Sequence, residues 1–398
     1  METKINEVLT RSIDKIYPSK EDLKKVLLSG KKLRIYMGID PTASYAHLGH
    51  STNYIILKRF HELGHKIIVL IGDFTAMIGD PSDKSAARKR LTKEEVKENL
   101  KSFKEQIGKI LDFEDKKNPI DFEFNSEWLS KLNFEDLIEL SSKFTVQQMI
   151  ERDIFEKRLK DKKPLFIHEF FYPLMQGYDS VALDADVEVG GTDQTFNMLA
   201  GRTLVKAYKN HEKYVVTTTL LENPVTGEKL MSKSLGTGIG LNETAENMYG
   251  KVMALPDEAI VQCFIDCTYL PMEEIGNIKD KLSKGTNPRD EKAHLAFEIV
   301  KIYHGEKKAK QAEENFIKQF RDKQIPTDIP KVKMSGSFDP ATLLVNIKAV
   351  HSKSHARRLV EQGGVKVDGA KITDPEALIS IHKDMIVQVG KRGFWKII

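Results

Sequence analysis

Two short apolar runs, LRIYMGID at 33–40 and KIIVLIGD at 66–73, flank the segment HLGHSTNYIILKRFHELGH, whose apolar positions recur with helical spacing. Runs that are apolar at nearly every position predict strands buried on both faces, and a strand-helix-strand unit built from them predicts a parallel sheet. DFEFN (121–125), DVEVGGTDQ (186–194) and KYVVTTTLL (213–221) extend that sheet, with helical segments near 93–111 and 134–160 between them. Past ENPVTGEKLMSKSLGTGIG the strand pattern stops, and NETAENMYGKVMAL, DEAIVQCFIDC, PRDEKAHLAFEIVKIYHG and EKKAKQAEENFIKQF read as helices. The stretch RDKQIPTDIPKVKMSGSFDP, broken by Pro326, Pro330 and Pro340, reads as a linker. ATLLVNIKAV and SKSHARRLVEQGG then predict two short helices, and VKVDGAKI and MIVQVGKRGFWKII predict strands, the first turning at Asp368-Gly369.

Composition narrows the class. Of 398 residues, 40% are hydrophobic and 30% charged, the balance of a folded protein, and this length predicts two or three domains. The net charge is only +4, so any nucleic-acid contact must come from local clustering. From Lys331 onward, 12 Lys/Arg stand against 6 Asp/Glu, a surplus of six that leaves −2 for residues 1–330. No apolar run reaches the ~18 residues of a membrane span. The charged opening METKINEVLTRSIDKIYPSKEDL lacks the apolar core of a secretory signal, so a cytoplasmic protein is expected. Cys263 and Cys267 read as buried reduced thiols, since two ligands do not complete a structural zinc site, and no metal-ligating set is expected.

His47-Leu48-Gly49-His50 falls just after the first of these strands, where its helix opens. Imidazoles three apart share a helical face, a helix N-terminus carries partial positive charge, and Gly49 lets a ligand approach the backbone, which together suit a phosphate. Taken alone, the pair reads equally as two surface histidines, and the Glu of an HExxH zinc motif is missing. Met231-Ser232-Lys233-Ser234 lies in a Gly-flanked loop after the last strand of the sheet, where a lysine can close over a triphosphate and neutralise charge on a leaving group. Gly190-Gly191-Thr192-Asp193-Gln194, between a strand and a helix, offers close backbone approach to a nucleotide and Asp193 to ribose hydroxyls. The pairing of the two histidines with the lysine loop at one sheet favours nucleotide chemistry over coincidence.

These segments resemble the "HIGH" and "KMSKS" sequences of class I aminoacyl-tRNA synthetases, present here as HLGH and LMSKS. Leu230 replaces the first lysine of the second sequence, so that lysine's role is absent or taken by Lys229, while Lys233 is retained. Tyr36-Met37-Gly38-Ile39-Asp40-Pro41-Thr42, Ile78-Gly79-Asp80, the spacing of Tyr172, Gln176 and Asp179, and Gly190 to Gln194 narrow the likeness to bacterial-type tyrosyl-tRNA synthetases, over nearly the whole chain. The implied fold class is α/β: a Rossmann-like parallel-sheet catalytic domain at 1–241 with a dimer-forming insert at about 120–180, a helical domain at 242–321, a linker at 322–337, and a small α+β RNA-binding domain at 338–398.

The resemblance implies that Tyr36 and Asp179 face the phenol of tyrosine, and that Asp80, Tyr172 and Gln176 hold its ammonium, with Thr75, Asn125 and Gln194 as further pocket positions. Gly38, Asp40, Thr42, Gly49, Gly191 and Asp193 are implied at ATP, where His47, His50 and Lys233 would stabilise phosphate charge. Lys84, Arg88 and Lys229 are candidates for pyrophosphate contact, although Lys84 and Arg88 read equally as a solvated charge run. ATP is then a substrate accompanied by Mg2+, and the partners are L-tyrosine, tRNA(Tyr) and a second copy of the chain. SHARRLVEQGGVKVDGAKI resembles an RNA-binding module shared with a small-subunit ribosomal protein, and Lys353, Arg357 and Arg358 on or beside one helix suit phosphate contact. Two other readings stay open. One is a tryptophanyl enzyme, whose pocket must satisfy an indole rather than the phenol that Tyr36, Gln176 and Asp179 suit. The other is a catalytically idle synthetase-like RNA-binding protein, or a nucleotidyltransferase sharing His-x-Gly-His.

Overall fold

The computed structural model describes residues 1–80, 91–151, 153–231, 237–321, 329–350, 352–390 and 393–398. They divide into two compact units, Met1–Glu313 and Glu314–Ile398. The first unit holds a six-stranded sheet of β1 (Ile13–Tyr17), β2 (Arg34–Ile39), β3 (Lys66–Ile71), β4 (Asp121–Phe124), β5 (Val187–Gly191) and β6 (Tyr214–Thr218), in the order β1-β6-β5-β2-β3-β4. β2 to β6 are mutually parallel, and β1 pairs antiparallel with β6 at the edge. β2 and β3 are almost wholly apolar because helices cover both faces, leaving Ile35, Tyr36, Ile67, Ile68 and Val69 without exposed surface.

The parallel strands match the hydrophobic pattern; two further elements do not show in it. β1 is five residues long with a register irregularity between Ile13 and Lys15, too short and polar to stand out. The helix Ile167–Ala182 carries Pro173 in its interior, a residue that by local rules ends a helix; packing against the helix Thr195–Lys209 overrides the rule. From β2 the chain steps outward through β3 to β4, and β5 and β6 extend the other side, so the order reverses between β2 and β5. A crevice forms at such a reversal, at the carboxyl ends of the strands.

The helices Ile167–Ala182 and Thr195–Lys209 pack closely on one another. A Cβ at Gly177 would lie 2.8 Å from Leu204 Cδ1 and 3.2 Å from backbone atoms of Ala200 and Gly201. The helices Ala245–Val252, Ile260–Cys267, Met272–Ser283 and Pro288–His304 follow within the same unit. Buried Arg11 donates to the carbonyls of Thr268 and Leu270 at 2.8 Å each, tying the N-terminal segment to the end of the Ile260–Cys267 helix. Cys263 and Cys267 are buried free thiols in that helix, and burial pushes the Cys263 thiol up to about 12.

The second unit contains β7 (Lys331–Val332), β8 (Ser337–Phe338), β9 (Val365–Val367), β10 (Ala370–Ile372), β11 (Ile379–Ser380), β12 (Ile386–Val389) and β13 (Gly393–Ile397). Five form a sheet in the order β10-β9-β12-β13-β7, and β8 pairs with β11. The β9-β10 hairpin turns through Asp368 and Gly369 at φ of 47° and 81°, as its sequence requires. The stretch read as a linker is partly ordered, since β7 and β8 fall within it; two-residue strands have no periodicity of their own and exist through their partners.

Because backbone atoms of the neighbouring helix cannot yield, Gly177→Ala is expected to destabilise the first unit by about 1–3 kcal/mol. Thermal unfolding followed by circular dichroism checks this, and an unchanged midpoint would contradict the close helix approach.

Candidate active site

A cleft of about 780 Å3 opens at the carboxyl ends of β2, β3, β5 and β6. Gly38, Asp40 and Thr42 line it from the end of β2, and His47, Gly49 and His50 from the opening of the helix Leu48–Glu62. Thr75 and Asp80 come from beyond β3, Asn125 from beyond β4, and Gly191, Asp193 and Gln194 from the end of β5 onward. Tyr172, Gln176 and Asp179 reach it from the helix Ile167–Ala182, and Lys229 from beyond β6. Tyr36 is the one sequence-derived position of this unit, among the described residues, that is not on the wall. It is fully buried, with its hydroxyl 2.7 Å from Ser180 Oγ. Lys84, Arg88 and Lys233 lie outside the described residues.

A continuous hydrogen-bonded chain joins the elements at the base of the cleft. Tyr172 donates its hydroxyl to Asp40 Oδ2 at 2.9 Å, and Thr75 Oγ1 donates to Asp40 Oδ1 at 2.7 Å. Asn125 Nδ2 donates to Thr75 Oγ1 at 3.0 Å and to Asp179 Oδ2 at 3.2 Å, while Trp128 Nε1 donates to Asp179 Oδ1 at 2.7 Å. The backbone N–H of Phe74 donates to Asn125 Oδ1 at 3.0 Å, so the Asn125 amide has one satisfied orientation. Desolvation holds the Asp179 carboxyl well above the usual carboxylate range, against the lowering effect of the Trp128 and Asn125 bonds. Burial likewise pushes the Tyr36 phenol well up. Elsewhere in the cleft Gln194 Nε2 donates to Asp80 Oδ2 at 2.8 Å, and Asn197 Nδ2 donates to Gln194 Oε1 at 3.0 Å.

At the other end, His47 caps the helix Leu48–Glu62: its backbone N–H donates to His50 Nδ1 at 3.1 Å and the two rings lie 3.8 Å apart. The backbone bonds Leu48 N–H to Ile239 O (3.0 Å) and Leu241 N–H to Ala46 O (2.8 Å) fasten this helix opening to the segment beyond Met231. Leu230 donates its N–H to Leu221 O at 2.9 Å and is buried, while its neighbours Lys229 and Met231 line the cleft. The leucine thus faces inward and Lys229 faces the cavity. In the second unit Lys353, Arg357 and Arg358 are exposed on the helix Lys353–Glu361, with Arg357 3.3 Å from Glu376.

Trp128, Ser180, Glu188 and Lys213 escaped the sequence reading. Glu188 carried a signal, a carboxylate in the middle of an apolar strand, and Lys213 at the start of β6 carried a weaker one; Trp128 and Ser180 carried none.

Residues 28–321 match the family model of tRNA synthetases class I (W and Y), and residues 341–386 match that of the S4 domain. The chain therefore belongs to the class I tRNA synthetase family of the W and Y type. The tyrosine-tRNA ligase of Carboxydothermus hydrogenoformans is 48% identical over 403 residues, covering 98% of this chain and 97% of that protein. The tyrosine-tRNA ligase of Thermotoga maritima is 44% identical, over 98% of this chain and 96% of its own length. Among solved structures, a C-terminally truncated mitochondrial tyrosyl-tRNA synthetase of Coccidioides posadasii aligns with a TM-score of 0.64 at 25% identity, covering 79% of this chain and 90% of that one.

The raised Asp179 carboxyl fixes a pH dependence. The folded state holds this proton more tightly than the unfolded chain, so the group's contribution to stability is present below the ordinary value of 3.8 and is lost as pH rises through the folded value. Since Trp128 donates to it, indole emission in a Trp395→Phe background, which leaves Trp128 as the single tryptophan, is expected to titrate above the ordinary carboxylate range. Adding Asp179→Asn should abolish that titration. Emission that stays flat there, or titrates identically in the Asn variant, would contradict the assignment.

Proposed function

We propose that the chain is a tyrosine-tRNA ligase, activating L-tyrosine with ATP to tyrosyl-adenylate and pyrophosphate and then transferring the tyrosyl group to the 3′ end of tRNA(Tyr). The observation that carries this reading is the buried carboxyl of Asp179, hydrogen-bonded through Asn125 to Thr75 and Asp40 at the base of a cleft in a class I fold. A phenol hydroxyl entering there finds polar groups with acceptor capacity to spare, whereas an apolar ring would displace water from them and return no hydrogen bond, at about 1–3 kcal/mol. An indole carries its N–H at a different point on a larger ring, which disfavours the tryptophan reading.

In the first step the tyrosine carboxylate attacks the ATP α-phosphorus and pyrophosphate leaves; in the second a terminal ribose hydroxyl attacks the activated carbonyl. Neither step needs a protein nucleophile, so the work is orientation and charge stabilisation. Asp80, Tyr172 and Gln176 take the substrate ammonium, while Tyr36 and Asp179 take the phenol, with Thr75, Asn125 and Gln194 shaping the pocket. Gly38, Asp40, Thr42, Gly49, Gly191 and Asp193 accommodate ATP. His47, His50 and Lys233 stabilise its phosphates, with Lys229, Lys84 and Arg88 toward pyrophosphate. The carboxylates of Asp40 and Asp193 are the hard oxygen donors that Mg2+ accepts, and the ion would arrive with ATP, held mainly by phosphates and water.

The exposed helix bearing Lys353, Arg357 and Arg358 supports RNA contact by the S4-matching unit. Exposed Phe134, Ile138, Val146, Phe166 and Ile167 support a homodimer formed through the insert at about 120–180. Among the described residues no helix is long and apolar enough to cross a membrane, and we assign the reaction to the cytoplasm.

Amino-acid-dependent pyrophosphate exchange tests the reading. Exchange with tyrosine, and not with tryptophan or phenylalanine, is expected. Tyr36→Phe should narrow the tyrosine-over-phenylalanine ratio of kcat/KM, and Asp179→Asn should impair tyrosine activation more than Tyr36→Phe does. Exchange driven by tryptophan, or a ratio unmoved by both variants, would overturn it. A chain ending at Arg321 is expected to retain tyrosine-dependent exchange but to charge tRNA poorly, because the local charge surplus lies beyond that point. Normal charging at low tRNA concentration would show the second unit to be dispensable.

A further inference from the structure

Lys213 and Glu188 form an ion pair at the amino-acid pocket, Glu188 lining the cleft and Lys213 lying off its wall, with Lys213 0% and Glu188 2% exposed. Lys213 Nζ donates to Glu188 Oε2 and to Met198 O at 3.1 Å, and lies 5.7 Å from the centroid of the Tyr36 ring. Two more donors converge on the same carboxylate: Gln176 Nε2 to Oε1 at 2.9 Å and Ser180 Oγ to Oε2 at 3.4 Å. Ser180 Oγ is in turn 2.7 Å from the Tyr36 hydroxyl. The space for the ammonium is built in, since a Cβ at Gly201 would overlap Lys213 Nζ and lie 2.6 Å from Ser180 Oγ. Burial lowers the Lys213 pKa, and Glu188 opposes that shift.

A buried ion pair is seldom worth more to stability than apolar side chains of the same volume. What this pair does that apolar groups cannot is orient. With one Nε2 hydrogen donated to Glu188, the amide plane of Gln176 is fixed and its Oε1 is an acceptor suited to an ammonium. With Ser180 held by the same carboxylate, the Tyr36 hydroxyl is fixed from behind.

We propose that Glu188 and Lys213 are positioning residues of the amino-acid pocket, which set the orientation of Gln176 and of the Ser180-Tyr36 pair and thereby contribute to tyrosine selection. The proposal rests on the tyrosine reading above. Its test is the double variant Glu188→Gln/Lys213→Met, which removes both charges at near-constant volume, alongside Glu188→Gln alone. The double variant is expected to melt close to the unmodified protein. Its KM for tyrosine in pyrophosphate exchange should rise about tenfold or more while KM for ATP stays within about twofold, the scale of a lost charge-assisted hydrogen bond. The tyrosine-over-phenylalanine ratio should narrow in both variants. A double variant that regains wild-type tyrosine KM and ratio along with stability would overturn the proposal, as would two variants that both melt below the assay temperature, because the pair is then structural. Absence of tyrosine-dependent exchange in the unmodified protein would remove the tyrosine reading and this proposal together; exchange there with an unmoved ratio in the variants overturns the positioning role alone.

Discussion

A carboxyl group buried with both oxygens already hydrogen-bonded is the fixed point of this molecule. Asp179 is 3% exposed, and Trp128 and Asn125 each donate to one of its oxygens. Desolvating a carboxylate is costly, and these donors offset part of that cost. Each partner comes from a different element: Asn125 follows β4, Trp128 sits on the short helix after it, and Asp179 is on the helix Ile167–Ala182. Through Thr75 and Asp40 the same chain reaches the ends of β3 and β2. The strand order places these ends side by side, and the close packing at Gly177 sets the separation of the helix Ile167–Ala182 from the helix Thr195–Lys209.

The two ends of the cleft work by different physics. At the end proposed for the amino acid, polar side chains are buried and mutually bonded in fixed orientations, so a ligand is selected by whether it can add a hydrogen bond to an arrangement that does not relax. At the end proposed for the nucleotide, a helix opening with two tilted imidazoles 3.8 Å apart and a cluster of glycines offers backbone and partial positive charge suited to phosphates. Leu230 is buried while its neighbour Lys229 lines the cleft, so a cation stands one residue away from the first-lysine position of the resembled sequence.

Most of this was legible where local pattern and burial agree. β2 and β3 announce themselves because a strand covered on both faces is apolar at nearly every position, β4 to β6 show as shorter runs of aromatic and β-branched residues, and the histidine and glycine motifs sit where turns need them. What was not legible depends on three-dimensional partners. β1, β7 and β8 are too short for a period, and the helix Ile167–Ala182 is sustained across Pro173 by packing rather than propensity. Trp128 and Ser180 look like ordinary half-buried residues in sequence and acquire roles only by facing Asp179 and Tyr36. Tyr36 itself proved more enclosed than a pocket-wall residue, because its hydroxyl finds Ser180.

The central claim is that the polar chain anchored on Asp179 reads a phenol. A crystal structure of the protein with L-tyrosine tests it most directly. The account predicts the phenolic oxygen within hydrogen-bonding distance of Asp179, near the Tyr36 hydroxyl, and the ammonium among Asp80, Tyr172 and Gln176. A tyrosine whose ring points toward His47 and His50, with Asp179 still bonded only to Trp128 and Asn125, would contradict it.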